Sequence, residues 1–254
     1  MGIGGRSWSA IAHAALSRQH YTAGLNMLRV YRRPGDAYRR YLLGGGTYPT
    51  SVEVSTPLGE FAAGLQSKHD MLTLNEIFCR EDYYADGGDK VVVDFGSNIG
   101  LSALYFLTRS PDAFTYLHEP FPQNIARLKE NLAAFKGRYA LAEAAVGLED
   151  GEARFGWEAT RRYGGIGRET GSYLQVPCLD SNCVLREILS RHAEIDILKI
   201  DTEGLEAELT TRIPEDMLAR IRKLYVEHDF ARNPLPRTHA YSRYGPIARL
   251  IRLR

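Results

Sequence analysis

The stretch VVVDFGSNIG, residues 91–100, contains the features that decide the fold. Its three consecutive valines are typical of a parallel strand that is covered on both faces. The chain then turns through Gly96 and Gly100, where a missing Cβ lets the backbone approach a ligand closely. An apolar segment, LSALYFLTR, follows at residues 101–109 and indicates a helix. The stretch therefore predicts a strand, a glycine turn and a helix, the arrangement with which α/β proteins bind nucleotides.

Two acidic residues suggest which nucleotide is bound. The dinucleotide fingerprint has a third glycine where this chain has Asn98. Asp94 would repel a pyrophosphate on the loop but would attract the ammonium group of S-adenosylmethionine (SAM), so we expect SAM rather than NAD. Glu119 lies nineteen residues after Gly100, at the end of the next strand-like run. A carboxylate in that position can accept hydrogen bonds from both hydroxyl groups of a ribose.

A third block of sequence makes the interpretation more specific. It consists of DILKIDTEGLEAELT at residues 196–210 and KLYVEHDF at residues 223–230. With VVVDFGSNIG, HEPFPQN, AAVGLEDGEARF and VPCLD, this order of motifs resembles the FkbM family of SAM-dependent methyltransferases over residues 72–230. The resemblance implies a class I SAM-methyltransferase fold, which is an α/β, Rossmann-like, mostly parallel doubly wound sheet. It also implies methylation of a hydroxyl group on a sugar, oligosaccharide, glycolipid or natural product.

The resemblance further implies which residues hold the cofactor. They belong to the glycine turn, to the HEPFPQN turn, and to the start of AAVGLEDGEARF, which meets the adenine ring in the family. Residues ahead of the glycine turn help to close the pocket, although Glu76 could equally be a surface glutamate and Tyr84 a core tyrosine. The expected cofactor-binding residues are Glu76, Tyr84, Asp94, Gly96, Ser97, Asn98, Gly100, Glu119, Pro120, Asn124, Ala145 and Val146.

Candidate catalytic residues follow two further strand-like runs. A hydroxyl group is protonated at neutral pH, so its methylation needs a general base or a metal ion. Asp201 and Glu203 follow ILKI, while Glu227 and His228 follow KLYV, and all four are expected at one edge of the sheet. Lys199, within the first run, is expected to pair with an acid or to extend its amine towards solvent, without a catalytic role.

Three interpretations of these carboxylates remain open. Asp201, Glu203 and Glu227 could together offer oxygen ligands to Mg²⁺. Alternatively, Glu203 or His228 is the general base and Asp201 only orients the reacting groups. In the third interpretation, the acids cap the helix that GLEAEL predicts.

The chain is expected to have two parts, an N-terminal cap at residues 1–70 and a SAM-binding domain at residues 71–254. The cap is predicted to contain helices at 7–31 and 36–43 and a hairpin at 51–65, and it could serve in dimerisation. Residues 159–171 predict a mobile lid over the acceptor site or, alternatively, plain disorder. Residues 239–254 predict an aromatic-rich loop followed by an edge strand or a short helix.

Composition limits the classes of function. A length of 254 residues with 44% hydrophobic residues suits one sizeable α/β domain with an addition. No apolar run approaches the roughly 18 to 20 residues that span a bilayer, and no signal-peptide core is present, so we expect a cytoplasmic protein. Seven arginines and one acid occur in residues 1–48, and six arginines and no acid in residues 231–254.

These arginines could pack on the acidic centre of the chain or on a second subunit of a homodimer. They could also attract an anionic acceptor or a membrane surface, but no nucleic-acid-binding motif accompanies them. Besides O-methylation of a small glycoside or natural product, three functions remain as alternatives. They are an NAD-linked oxidoreductase, a catalytically silent binding protein, and an N-methyltransferase that acts on an amino sugar.

Overall fold

The computed structural model describes residues 18–157, 164–166 and 170–253. The chain forms two compact units, one ending at Tyr84 and the other beginning at Ala85. No helix among the described residues is both long and apolar enough to cross a membrane. The two units are described separately below.

The first unit combines helices with a hairpin, as the sequence predicts. Helix α1 spans Arg18–Val30, α2 spans Pro34–Leu43 and α3 spans Lys68–Phe78, while strands β1 (Thr50–Thr56) and β2 (Gly59–Leu65) form an antiparallel hairpin. The predicted helix at 7–31 is thus described only from residue 18 onwards, and its earlier part lies outside the described residues. Ser67 begins α3 with a capping box, in which its side chain and that of Asp70 each accept a backbone N–H.

The second unit is built on a seven-stranded sheet. Its strands in chain order are β3 (Val91–Phe95), β4 (Phe114–His118), β5 (Tyr139–Ala142), β10 (Ile195–Ile200), β11 (Ile221–Val226), β12 (His239–Tyr244) and β13 (Ile247–Arg252). Across the sheet the order is β12, β13, β11, β10, β3, β4, β5. All neighbours from β11 to β5 are parallel. Strand β13 runs antiparallel to both of its neighbours, β11 and β12. This is the Rossmann-like class I methyltransferase fold that the sequence predicts.

Helices connect the parallel strands, and their apolar faces bury the sheet. The helices are α4 (Leu101–Leu107), α5 (Pro122–Asn131), α6 (Ser181–Arg191), α7 (Glu206–Thr211) and α8 (Glu215–Leu218). One core cluster joins Val93, Leu198 and Leu224 of adjacent strands to Leu185 and Leu209 of the helices. The run ILKI is buried along its whole length, as expected for a central parallel strand.

A second, four-stranded sheet follows β5. It contains β6 (Ala145–Gly147), β7 (Gly151–Trp157), β8 (Gly164–Ile166) and β9 (Ser172–Asp180), in the order β6, β9, β7, β8. Most of the predicted lid at residues 159–171 lies outside the described residues, and the part that is described includes β8, which pairs with β7.

The C-terminal segment differs from the expectation of a loop followed by an edge strand or short helix. Residues 239–244 form the edge strand β12, and residues 247–252 form β13, which lies between β12 and β11. Ile247, Leu250 and Ile251 have a helix-like spacing, but two neighbouring strands are available to satisfy the backbone of this segment. Pairing on both sides therefore makes this segment a strand.

Candidate functional site

A cleft opens where β3, β4 and β10 end. Ligands of open α/β sheets bind at the carboxyl ends of the strands, so this is the expected position of a functional site. The glycine turn after β3, the turn after β4, the four-stranded sheet and the turn after β10 all contribute to its walls. The described lining residues are Gly96, Asn98, His118, Glu119, Pro120, Phe121, Asn124, Ala144, Ala145, Val146, Phe155, Trp157, Ile166, Asp201, Thr202 and Glu203.

The glycine turn requires glycine at Gly96 and favours it at Gly100. Both residues have a positive φ, of 85° and 82°, which glycine adopts without strain. A Cβ on Gly96 would lie 1.8 Å from the carbonyl oxygen of Asp201, so the turns after β3 and β10 touch through their backbones. A Cβ on Gly100 would lie 3.0 Å from the Leu128 side chain. Gly100 therefore packs against Leu128 and does not line the cleft, whereas Gly96 lies on the wall of the cleft.

Ser97 and Asn98 fix the middle of this turn. Ser97 is buried, and its hydroxyl donates to the Asp94 carbonyl oxygen at 3.1 Å and accepts the His118 N–H at 3.2 Å. Asn98 has a φ of 48°, and its N–H donates to Oε2 of Glu119 at 2.9 Å. Asn98 lines the cleft, whereas Ser97 holds the turn in place beneath it.

Glu119 is a buried carboxylate on the wall of the cleft. Its Oε1 accepts the Phe121 N–H at 3.0 Å and the Asn124 amide at 3.2 Å. Burial raises the pKa of Glu119 to about 7, although these donors and the Asn98 N–H favour the charged form. Pro120 and Asn124 line the cleft beside it, so the predicted HEPFPQN residues are brought together.

Apolar side chains form another part of the lining, which we call the apolar wall. Ala145 and Val146 belong to it, where the sequence predicts contact with adenine. Phe121 and Trp157 also line it, with ring centroids 5.4 Å apart, and Phe155 lies 6.4 Å from Phe121. Sequence reasoning missed these three aromatic residues. The alternation in GEARFGW, which places residues 155 and 157 on one face of a strand, was the available signal.

Two buried polar atoms beside the cleft have no partner among the described residues. They are Oδ1 of Asn124 and Nδ1 of His118. Burial lowers the pKa of His118 to about 4, so its ring is neutral at physiological pH. Buried polar atoms are nearly always paired, so a ligand that supplies a partner fits this position. Together with Glu119 and the apolar wall, these atoms suit a nucleoside such as that of SAM.

Asp94 is not on the wall of the cleft. It is fully buried, and its Oδ1 accepts a hydrogen bond from Lys199 at 3.0 Å while its Oδ2 accepts one from Ser102 at 2.5 Å. The sequence predicts direct contact with the ammonium group of the cofactor, but this carboxylate is already occupied by an ammonium group of the protein. Lys199 thus pairs with an acid, as expected.

The turn after β10 carries the predicted carboxylates. Oδ2 of Asp201 lies 3.2 Å from Nζ of Lys199, and Glu227 directly follows β11. The negative charge of Asp201, together with burial, raises the pKa of Glu227 well above its ordinary range, although part of the Glu227 side chain is exposed.

Glu203 is held on the wall of the cleft by an unusual backbone conformation. Its φ is 62°, a left-handed value that is uncommon outside glycine. Glu206 stabilises this turn, because its carboxylate accepts the N–H groups of Thr202 at 3.0 Å and Gly204 at 2.9 Å. From the other side, Gly165 of β8 leaves no room for a Cβ, which would lie 2.2 Å from the Glu203 carbonyl oxygen. Glu206 therefore caps this turn.

The predicted catalytic residues therefore separate into two groups. Asp201 and Glu203 line the cleft. Glu227 belongs with them because the charge of Asp201 raises its pKa. His228 does not line the cleft, and its ring packs on Phe230 with centroids 4.6 Å apart.

The structure does not assemble the predicted magnesium ligands. Within the described part of the chain, no group of three or more His, Cys, Asp or Glu side chains is arranged to hold a metal ion. Asp201, which would be central to such a site, is instead paired with Lys199 and Glu227.

Glu76 and Tyr84 belong to the first unit of the chain. Glu76 lies 3.5 Å from Arg80, and the Tyr84 side chain is 45% exposed, so Tyr84 is not the core tyrosine of the alternative interpretation. Their contact with the cofactor stays a prediction.

Comparison with known proteins agrees with this architecture. A family model described as a methyltransferase FkbM domain matches residues 94–231. A segment of the AMB antimetabolite synthetase AmbE of Pseudomonas aeruginosa is 30% identical over an alignment of 224 residues, and the match covers 70% of this chain. This chain spans only about a tenth of the length of AmbE.

Two solved structures are similar to the chain at low sequence identity. The methyltransferase FkbM of Methylobacillus flagellatus KT is 13% identical, with a TM-score of 0.46, over 70% of this chain and 47% of its own. An rRNA methylase of Streptococcus thermophilus is 11% identical, with a TM-score of 0.38, over 73% of this chain and 96% of its own.

Proposed function

Because the chain belongs to the FkbM family of SAM-dependent methyltransferases, we propose that it methylates a hydroxyl group of a natural-product or carbohydrate acceptor. The observation that carries this proposal is the position of Asp201 and Glu203 in the same cleft as Glu119 and the glycine turn. A carboxylate beside the cofactor site can remove a proton from a hydroxyl group.

The residues around the cleft offer a suitable environment for the cofactor. Glu119 would accept hydrogen bonds from the ribose hydroxyls, and the apolar wall with Ala145 and Val146 would cover the adenine ring. Oδ1 of Asn124 and Nδ1 of His118 are buried and have no hydrogen-bond partner among the described residues. When bound, SAM supplies a methyl group on a positively charged sulfur, which the acidic cleft favours.

A carboxylate of the turn after β10 accepts the proton of the acceptor hydroxyl. Asp201 and Glu203 are the candidates, because both line the cleft. Asp201 is already paired with Lys199 at 3.2 Å inside the protein. Glu203 therefore accepts the proton, and Asp201 orients the hydroxyl group.

Two considerations favour a hydroxyl acceptor in natural-product synthesis. A neutral amine already has a free electron pair and needs no base during its attack on the methyl group, so carboxylates beside the cofactor site suit a hydroxyl acceptor better. The similarity to a segment of an antimetabolite synthetase suggests an intermediate of a biosynthetic pathway as the acceptor. Assistance by Mg²⁺ is the less suitable mechanism, because Lys199 already compensates the charge of Asp201.

Methyl transfer from isotopically labelled SAM into an extract of the native cells, read by mass spectrometry, tests the proposal. We expect a product labelled in an O-methyl group with or without EDTA. Labelling should fall about a hundredfold in Glu203→Gln, which is in the usual range for a general base. A labelled amine, or no labelled small molecule, would contradict the proposal. Loss of labelling with EDTA would instead assign the proton removal to a metal ion.

His228→Gln distinguishes the second candidate base. The ring of His228 packs on Phe230 and does not line the cleft, so this substitution should reduce labelling much less than Glu203→Gln. If His228→Gln reduced labelling more than Glu203→Gln does, His228 rather than Glu203 would be the base.

A further inference from the structure

Lys199 lies buried beneath the cleft, at the point where the turns after β3 and β10 meet. Its side chain is 3% exposed. Its Nζ is 3.0 Å from Oδ1 of Asp94, 2.9 Å from the Gly96 carbonyl oxygen and 3.2 Å from Oδ2 of Asp201. An ammonium group has three donors, so these three oxygens can account for all of its hydrogen bonds.

The contacts of Lys199 connect two neighbouring strands. Lys199 is the register partner of Asp94 in the pairing of β10 with β3. Without the lysine, the carboxylates of Asp94 and Asp201 would be two like charges close together, and they would repel each other in a poorly solvated place. The backbones are in contact here as well, because Gly96 has no room for a Cβ beside the Asp201 carbonyl. The position of one turn therefore depends on the other.

We propose that Lys199 is a positioning residue that ties the glycine turn to the Asp201 turn and thereby fixes the shape in which the cleft binds SAM. Lys199 is not among the residues that line the cleft. Asp94 then acts through Lys199, since both of its oxygens are occupied inside the protein. The inference rests on the proposed function, because it assumes that this cleft holds the cofactor.

A second buried lysine provides a matched control. Lys223 lies on β11, the strand beside β10, and also pairs with two aspartates, Asp89 at 2.8 Å and Asp86 at 3.3 Å. Its side chain is 10% exposed. Lys223 stands near the start of its strand, whereas Lys199 stands near the end of β10, where the cleft opens. Lys223→Met removes one cation from Asp89, which keeps its ion pair with Arg222, and one from the partly exposed Asp86. Of the two lysines, only Lys199 contacts the walls of the cleft.

The test measures the binding of S-adenosylhomocysteine to the full chain by titration calorimetry, with thermal unfolding as a second readout. We expect Lys199→Met to weaken binding by about tenfold or more, because displacement of a binding wall by a fraction of an ångström is costly. Lys223→Met should also lower the melting temperature, but it should leave the dissociation constant unchanged. Equal dissociation constants for Lys199→Met and the wild type would overturn the inference.

The sign of the effect also separates this role from a direct one. If Asp94 itself contacted the ammonium group of the ligand, removal of Lys199 would release Asp94 and strengthen binding. Should Lys199→Met not fold, Lys199→Met with Asp94→Asn removes both buried charges, and it too should bind more weakly than the wild type. Wild-type affinity in this double variant would also overturn the inference. Failure of the wild-type chain to bind S-adenosylhomocysteine would instead contradict the proposed function.

Discussion

At the scale of single residues, two acids that look alike in the sequence have different surroundings. Asp94 lies one residue before the end of β3 and Glu119 one residue after the end of β4, and the sequence predicts that both contact the cofactor. Glu119 lies on the wall of the cleft, whereas Asp94 is enclosed by Lys199 and Ser102. The difference depends on Lys199, which is 105 residues away along the chain. No local pattern around Asp94 reveals this partner.

The raised pKa of Glu119 leads to a prediction about binding and pH. The ionised carboxylate accepts hydrogen bonds from the ribose, so protonation weakens binding as pH falls through about 7. Affinity for S-adenosylhomocysteine should fall about tenfold from pH 8 to pH 6, as linkage requires for a group with that pKa. Calorimetry at several pH values measures this change. Glu119→Gln should bind more weakly and show little pH dependence; an unchanged slope in this variant would assign the titration to another group.

Residue types and spacing could predict much of the candidate site. Gly96, Asn98, Glu119, Ala145 and Asp201 line the cleft as expected. The sequence does not reveal that the charge of Asp201 raises the pKa of Glu227, because this depends on the alignment of β10 with β11. Phe121 and Trp157 were missed, because aromatic residues in strands and turns are most often interpreted as core.

At the scale of elements, the contact between the turns after β3 and β10 can be tested with two glycines. Gly96 and Gly137 have nearly the same φ, 85° and 86°, but a Cβ on Gly137 would have nothing within 4 Å. Gly137→Ala should therefore cost only the left-handed backbone strain, about 1 to 2 kcal/mol. Gly96→Ala should cost clearly more and abolish binding of S-adenosylhomocysteine, because the Asp201 turn has to move.

Urea unfolding and calorimetry measure the two effects of these substitutions. Equal losses of stability in Gly96→Ala and Gly137→Ala would show that the two turns separate easily. The described backbone contact would then not constrain the cleft.

Elements with strong local patterns were predicted well, and β13 shows where such patterns fail. The glycine turn, the hairpin of β1 and β2, and the buried strand β10 follow from residue types and periodicity. In β13, arginines interrupt the apolar residues, and the remaining spacing resembles a helix. Its conformation is decided by β11 and β12, which offer hydrogen-bonding partners on both sides. Such pairing is a tertiary effect that a single sequence does not show.

At the scale of the whole molecule, the second unit contains every described residue of the cleft. It also contains the complete seven-stranded sheet and the region that matches the family. A chain of this size buries enough surface to fold by itself. We therefore propose that residues 85–254 form an independent cofactor-binding domain, with a boundary later than the predicted residue 70.

A shortened chain of residues 85–254 tests this proposal together with the prediction for Glu76 and Tyr84. We expect cooperative urea unfolding, since the core of the sheet is retained. Binding of S-adenosylhomocysteine should be weaker than in the full chain, because the family resemblance places Glu76 and Tyr84 near the cofactor. The full chain carrying Glu76→Gln and Tyr84→Phe should show the same weakening. Equal affinity of the short and full chains would show that neither Glu76 nor Tyr84 contributes to binding. Loss of cooperative unfolding in the short chain would contradict an independent domain.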